Sequence, residues 1–243
     1  RFKVTGPPPD HRLIERASMD GFDLLHGRVA SHEYEVIHQR WIFFVASKYW
    51  VIVDDMDAEH EHLYQARFQL SELAQDRTSI RTKQGTRILQ SPGLVVAQSD
   101  TSGVTLSVEQ GHVSYRYGQK YPAPAVCFAV RARKARLMTV LIPYADTPDV
   151  PVIQKIPVTG SNHDTAAVRA SAFAICMDGQ TDILLVGGED HTSCRFDRFE
   201  FRGRYLVARR NALGILTRVH THVGAALHEE GNPVRLCEAD LAP

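Results

Sequence analysis

Twelve histidines stand in a chain of 243 residues, and several recur at a spacing that could do chemistry. In a β-strand the side chains of residues i and i+2 lie on one face. By that rule His32, Tyr34, His38 and Arg40 share one face of a first long strand over 34–46. His60, His62 and Tyr64 share a face of another, and His220 and His222 form a third pair. Two imidazoles at i, i+2 can chelate one zinc ion if the fold brings a third or fourth ligand. His60 and His62 are the candidate metal pair on this basis, although the commoner role of such a pair is a polar patch on a solvated or hydrogen-bonded sheet face. His38 and Arg40 point elsewhere, because a guanidinium fork matches carboxylates and sulfates bidentately. The chain has 22 Arg against 6 Lys, which suits an anionic-sugar binder and suits GC-rich codon usage at least as well.

Other residues offer weaker chemistry. Tyr115 and Tyr117 are candidate platforms for a sugar ring, whereas Trp41 and Trp50 read as core. Asp54-Asp55 closes the apolar run Trp50-Val51-Ile52-Val53. Paired carboxylates can do acid–base work or hold calcium, but at a strand end they are more often turn formers. Arg131, Arg133, Lys134 and Arg136 form a basic knot that reads as a solvated turn between two strands. There is no glycine-rich phosphate loop, no G-x-S-x-G elbow, no H-E-x-x-H helix and no C-x-x-C pair. No local motif therefore specifies a reaction, and no catalytic residue is assigned.

Composition narrows the classes. Lys+Arg and Asp+Glu are both 28, so the formal net charge is zero. A dedicated nucleic-acid binder would carry a basic excess to release phosphate counterions. No apolar run approaches the ~20 residues that span a bilayer. Hydrophobic residues make up 44% and charged residues 23%, which is enough to build a core. Cys127 and Cys176 lie in apolar runs and read as buried thiols, and the spacing of the four cysteines leaves one disulfide open. The first residue is Arg1, and Phe2-Lys3-Val4 already reads as strand. No signal peptide is recognisable, so a fragment or processed chain is expected.

The elements that must position these residues are strands. Helical periodicity is nearly absent, and 70–76 offers one or two turns at most. Strand-like runs recur at 34–46, 49–54, 60–70, 93–98, 104–108, 112–117, 125–132 and 137–142. In the tail they lie at 172–177, 182–186, 195–201, 204–208, 214–218 and 234–237. Ala46-Ser47-Lys48, Lys83-Gln84-Gly85-Thr86, Asp178-Gly179, Arg202-Gly203 and Gly231-Asn232-Pro233 read as turns. The expected fold is all-β, a multi-sheet antiparallel β-sandwich with almost no helix, on the order of 15–20 short strands. Four prolines between Pro143 and Thr165 make that stretch a connection with at most an edge strand. The expected organisation is a main sandwich over 1–142, a Pro-rich connection over 143–168, and a sheet extension over 169–243 packed on the sandwich.

The order of these signals resembles the sheet region of the heparinase II/III-like family of polysaccharide lyases. Tyr34 and His38-x-Arg40 are followed by an aromatic–aliphatic hairpin, then Trp50-Val51-Ile52-Val53-Asp54 and His62-x-x-x-x-x-Phe68-x-Leu70. Ser114-Tyr115-Arg116-Tyr117-Gly118 leads on to Thr139-Val140-Leu141-Ile142-Pro143, and Gly179 to Leu185 fits the family's final sheet. The resemblance implies that this is the C-terminal sheet portion of a lyase whose N-terminal α/α toroid lies elsewhere. It implies β-elimination at a uronic acid in an anionic polysaccharide. It also implies zinc or calcium in the parent and none in this chain. The family's H-G-H-x-D-x-G-S-F-like catalytic and metal segment has no counterpart here, so the chain alone is expected to be inactive. His32, His38, Arg40, Tyr115 and Tyr117 remain substrate-binding candidates only. Export, to the periplasm or beyond, would follow from a leader on the parent. The alternatives are a non-catalytic sugar-binding or structural sandwich, and a metal-dependent β-barrel enzyme built on the histidine pairs.

Overall fold

The computed structural model describes residues 8–99, 103–160, 170–187, 193–234 and 237–238. The first strands are β1 (Asp10–Met19), β2 (Phe22–Ala30), β3 (Ile37–Val45), β4 (Tyr49–Gln69), β5 (Ser79–Lys83) and β6 (Thr86–Ser91). They are followed by β7 (Leu94–Ser99), β8 (Thr105–Val113), β9 (Tyr121–Pro143), β10 (Val152–Ile156), β11 (Thr159–Gly160) and β12 (Ser171–Met177). The last are β13 (Gln180–Val186), β14 (Ser193–Phe196), β15 (Phe199–Arg210), β16 (Leu216–Glu229), β17 (Asn232–Pro233) and β18 (Cys237–Glu238). Helix is confined, among the described residues, to one 3-10 turn at Glu72–Ala74. The fold is all-β, multi-sheet and antiparallel, as the alternation of short apolar runs predicts. The parallel pair β16–β18 departs from that rule. No helix among the described residues is long and apolar enough to cross a membrane.

Among the described residues there are two nine-stranded sheets. One runs β1-β2-β3-β4-β9-β7-β6-β5 with β8 paired to β9; the other runs β10-β12-β13-β15-β14-β11 with β16 paired to β15. The chain divides into two compact units. The first is formed mainly by Asp23–Lys83 and Arg87–Pro148, the second mainly by Asp149–Pro243. The core of the first gathers Met56, Tyr64, Val126, Phe128 and Leu137. That of the second gathers Phe196, Phe199, Phe201 and Leu206. β10 sits at an end of its sheet's strand order, a position in which neighbouring prolines cost the ladder little.

The strands are longer than the sequence pattern implies. β4 is a single strand of 21 residues and β9 one of 23, where shorter runs are read from the sequence. They pair from Trp50 opposite Leu141 to Gln69 opposite Ala125 with one irregularity: Asp57 faces Lys134 and His62 faces Ala132, so residues 58–61 of β4 stand opposite Arg133 alone. This is a bulge, and it hides β4's continuity. The basic knot is accordingly not a turn. It lies inside β9, where Lys134 bonds Asp57 at 2.9 Å, Arg136 bonds Asp55, and Arg131 lies 3.8 Å from Glu61.

Four other local expectations change. Arg202-Gly203 is not a turn. β15 runs through it, and Gly203 marks a register shift against β16, while the reversal comes earlier, at Asp197-Arg198. Residues 114–117 are not strand, since β8 ends at Val113 and Tyr115 and Tyr117 lie in the connection to β9. Trp41 is core, but Trp50 is 37% exposed and stacks on Phe44 at 4.7 Å. His220 and His222 are buried rather than solvated. His222 stacks on Tyr205, and burial, followed by the charge of Arg218, lowers the pKa of His220. Cys127, Cys176 and Cys194 are free thiols, Cys127 and Cys194 buried and Cys176 partly so. The strand read at Phe2-Lys3-Val4 lies outside the described residues.

Candidate functional site

The site grows from the β3–β4 hairpin. Ala46 and Ser47 both hold positive φ, and Lys48 N–H donates to Val45 O at 3.0 Å, a turn whose twist suits two paired strands. The register that follows places Arg40 directly opposite Asp54 and His38 opposite Met56. His38, Arg40 and Asp54 thereby fall on one face of the sheet.

Asp54 is the centre of this group. Its Oδ1 accepts from Arg40 Nε at 2.6 Å and contacts His38 Nε2 at 2.7 Å, while Oδ2 accepts from Arg40 Nη2 at 3.0 Å. The Asp54 side chain is 4% exposed; those of His38 and Arg40 are 37% and 44% exposed. Burial alone would raise the Asp54 carboxyl. The hydrogen bonds from His38 and Arg40, with the guanidinium charge, outweigh it and hold the group below the usual carboxylate range. A buried anion therefore anchors two cation-competent side chains whose outer ends reach solvent. Asp54 is not the turn former its place after an apolar run suggests; it lies inside β4.

The bulge supplies the other side. Tyr64, two residues past His62, is buried and donates its hydroxyl to Arg133 O at 3.0 Å. Arg133 stands opposite the bulge, so this bond satisfies a carbonyl at the break in the ladder. Burial, then the charges of Asp57 and Glu35, push the Tyr64 phenol up, so it stays a donor. Glu35, from the loop between β2 and β3, clasps the bulge. Its Oε1 accepts the His60 backbone N–H at 2.7 Å and lies 2.7 Å from His60 Nδ1 and 3.3 Å from His62 Nε2. Burial would raise Glu35, and these contacts with His60 and His62 lower it on balance.

Between hairpin and bulge lies a cleft of about 350 Å³. His38, Arg40 and Asp54 line it together with Tyr34, His62 and Tyr64, and Val36, Met56 and Leu137 add apolar surface. Arg40 offers donors for an anion, His38 a proton-transferring or hydrogen-bonding ring, and the tyrosines aromatic and hydroxyl contact. This combination fits an acidic sugar better than a purely apolar ligand.

The candidate residues from the sequence separate accordingly. His38 and Arg40 come together. His32 and Tyr34 are not on the strand with them; both lie in the 31–36 loop, where Tyr34 lines the cleft and His32 is exposed away from it. Tyr115 and Tyr117 do not line the cleft. Tyr115 donates to Glu72, a bond that, followed by burial and the Glu72 charge, raises its phenol, and Tyr117 is wholly exposed. Asp54, Glu35 and Tyr64 are not among the substrate-binding candidates that the sequence offers. For Asp54 the signal is present, because Arg40 and Asp54 stand the same number of residues either side of Ser47.

A model of the heparinase II/III-like C-terminal domain matches residues 7–171. The chain belongs to that family. No curated protein matches the sequence. Among solved structures, heparan sulfate lyase HepC from Pedobacter heparinus is similar with a TM-score of 0.59 and 18% identity. The match covers 73% of this chain and 28% of that one, and a mutant of HepC gives the same values. A heparinase III is similar with a TM-score of 0.55 and 18% identity, over 74% of this chain and 28% of that one. At this identity the likeness concerns the fold. The chain spans less than a third of the length of either lyase.

In this heparinase II/III-like chain, side chains able to ligate a metal gather at the bulge. Glu35, Glu59 and His60 bring ligand atoms within 4.8 Å of one another, all on exposed residues. His62 shares Glu35 with His60 but adds no ligand to that group. Two carboxylates and one imidazole could hold a divalent cation loosely at the bulge, outside the Asp54 cluster.

Proposed function

We propose that this chain is the sheet-rich C-terminal portion of a polysaccharide lyase that opens uronic-acid glycans by β-elimination. The observation that carries the reading is the family match over residues 7–171. Solved structures described as a heparan sulfate lyase and a heparinase III support the same direction. Elimination at a uronate needs three things. The carboxylate must be neutralised so that the C5 proton becomes removable, a base must take that proton, and an acid must protonate the leaving C4 oxygen. Arg40, fixed on Asp54, can meet the first need in this chain, and His38 can share in holding the sugar. The proton-transferring groups belong to the parent's α/α toroid and its H-G-H-x-D segment, as does any zinc or calcium. By itself the chain binds anionic polysaccharide weakly and does not cleave it.

The test is to assay unsaturated-uronate absorbance on heparan sulfate and other uronic-acid polymers, with the chain alone and with the chain joined to its toroid. Absorbance only in the joined form supports the reading. No absorbance from the joined form on any uronic-acid polymer refutes it.

A second reading, a non-catalytic carbohydrate-binding module, draws on one observation. Tyr117 is fully exposed, between Arg116 and Gly118 and close in sequence to Lys120. Glycan binding by the chain alone that is abolished by Tyr117→Ala, with the joined form still inactive, would favour this reading over the lyase.

A further inference from the structure

The bonds around Asp54 fix what His38 can offer a ligand. A neutral imidazole has one nitrogen that donates and one that accepts, and the partner of either identifies both. His38 Nε2 lies 2.7 Å from Asp54 Oδ1. That oxygen also accepts from Arg40 Nε, and Oδ2 accepts from Arg40 Nη2. A guanidinium has no acceptor, so both carboxylate oxygens act as acceptors towards it. With the carboxylate ionised, the proton between Asp54 and His38 resides on Nε2. In the neutral ring Nδ1 is then left with its lone pair. Arg40 is fixed in the complementary sense: two of its N–H groups are spent on Asp54, and among the described residues those on Nη1 make no bond.

We infer that His38 and Arg40 are a matched acceptor and donor, set by Asp54, that determine which sugar the cleft takes. Arg40 Nη1 receives a carboxylate, and His38 Nδ1 receives a hydroxyl proton from the same ring. The ligand is a uronic acid residue that turns a ring hydroxyl towards Nδ1. This rests on the lyase reading and sharpens it, since that reading gives His38 no more than a share in holding the sugar. His38 is a specificity-determining residue here, and removal of the C5 proton is not assigned to it.

The experiment is NMR of the full chain with ¹⁵N-labelled histidine, titrated with D-glucuronate, cyclohexanecarboxylate and D-glucose. The free chain should show His38 as the Nε2–H tautomer. Its Nδ1 resonance should shift with glucuronate and stay in place with cyclohexanecarboxylate, which has the anion but no hydroxyl. Glucuronate should bind about tenfold more tightly than either other probe, the worth of one good hydrogen bond. His38→Ala should lose the preference over cyclohexanecarboxylate and keep that over glucose. His38→Gln, whose amide oxygen still accepts, should restore part of it. A proton on Nδ1, in the other tautomer or in the imidazolium, or an unchanged preference in His38→Ala, overturns the inference. The two readings fail separately. Glucuronate binding to an Nδ1–H ring sinks the His38 assignment and leaves the lyase reading standing. An Nε2–H ring with no response to glucuronate, in a chain whose joined form cleaves uronate polymers, sinks the cleft as the sugar site and nothing more.

Discussion

Arg40 grips Asp54 across the β3–β4 ladder with two bonds, Nε to Oδ1 at 2.6 Å and Nη2 to Oδ2 at 3.0 Å. Such a fork-on-carboxylate pair fixes direction as well as charge. Lysine cannot reproduce it, because an ammonium is a point donor on a flexible stem. Arg40→Lys should therefore keep the fold and the net charge, yet weaken uronate binding by about tenfold, the scale of one charge-assisted hydrogen bond. Titration of both proteins with glucuronate checks this; equal affinities would mean that the fork does not orient the ligand.

Asp54→Ala removes the buried acceptor and leaves His38 and Arg40 without it. Both partners are more than a third exposed and can turn to water, so the cost should fall below that of a fully buried pair. A loss of about 2 kcal/mol is expected by urea denaturation with an unchanged m-value.

The same carboxyl makes stability depend on pH. Its folded pKa lies below the unfolded reference of 3.8, so its contribution is complete above that value and disappears as pH falls through the folded value. Thermal melts of the wild type and of Asp54→Asn should differ by a constant amount above about pH 5 and converge below pH 4. A gap that widens on acidification would reverse the sign and contradict the pairing seen here.

How far could the sequence have led? His38 and Arg40 were legible from i, i+2 spacing alone, because both lie on one regular strand. Asp54 needed one step more. The turn at Ala46-Ser47-Lys48 and the two flanking strands were all visible, and reflecting Arg40 through Ser47 reaches Asp54. The bulge at 58–61 was not legible. Its acidic and histidine residues and the basic run 131–136 each mimic a turn in isolation, and only cross-strand ion pairs make them strand. Glu35 escaped for a similar reason, since its role depends on a loop reaching residues 60 and 62.

Tyr64→Phe tests the bulge. Removing the hydroxyl leaves the Arg133 carbonyl, at a break in the ladder, without its 3.0 Å donor. The apolar ring stays, so packing is nearly unchanged. About 1–2 kcal/mol should be lost, and amide exchange should quicken around residues 58–64 before it does elsewhere. Uniform acceleration over both sheets would show that the bond supports the fold globally instead.

Glu35→Gln addresses the clasp between the loop and the bulge. Glu35 accepts the His60 backbone N–H at 2.7 Å and contacts two imidazoles, all near solvent. Exposed contacts of this kind contribute little to global stability, about 0–1 kcal/mol, so the melting temperature should barely move. The local effect should be larger: an amide oxygen accepts less strongly than a carboxylate, and the His60 amide should exchange several-fold faster. Because Tyr34 shares the Glu35 loop and lines the cleft, glucuronate affinity should drop in step with that exchange rate. Faster exchange at His60 with no change in affinity would uncouple the loop from the cleft.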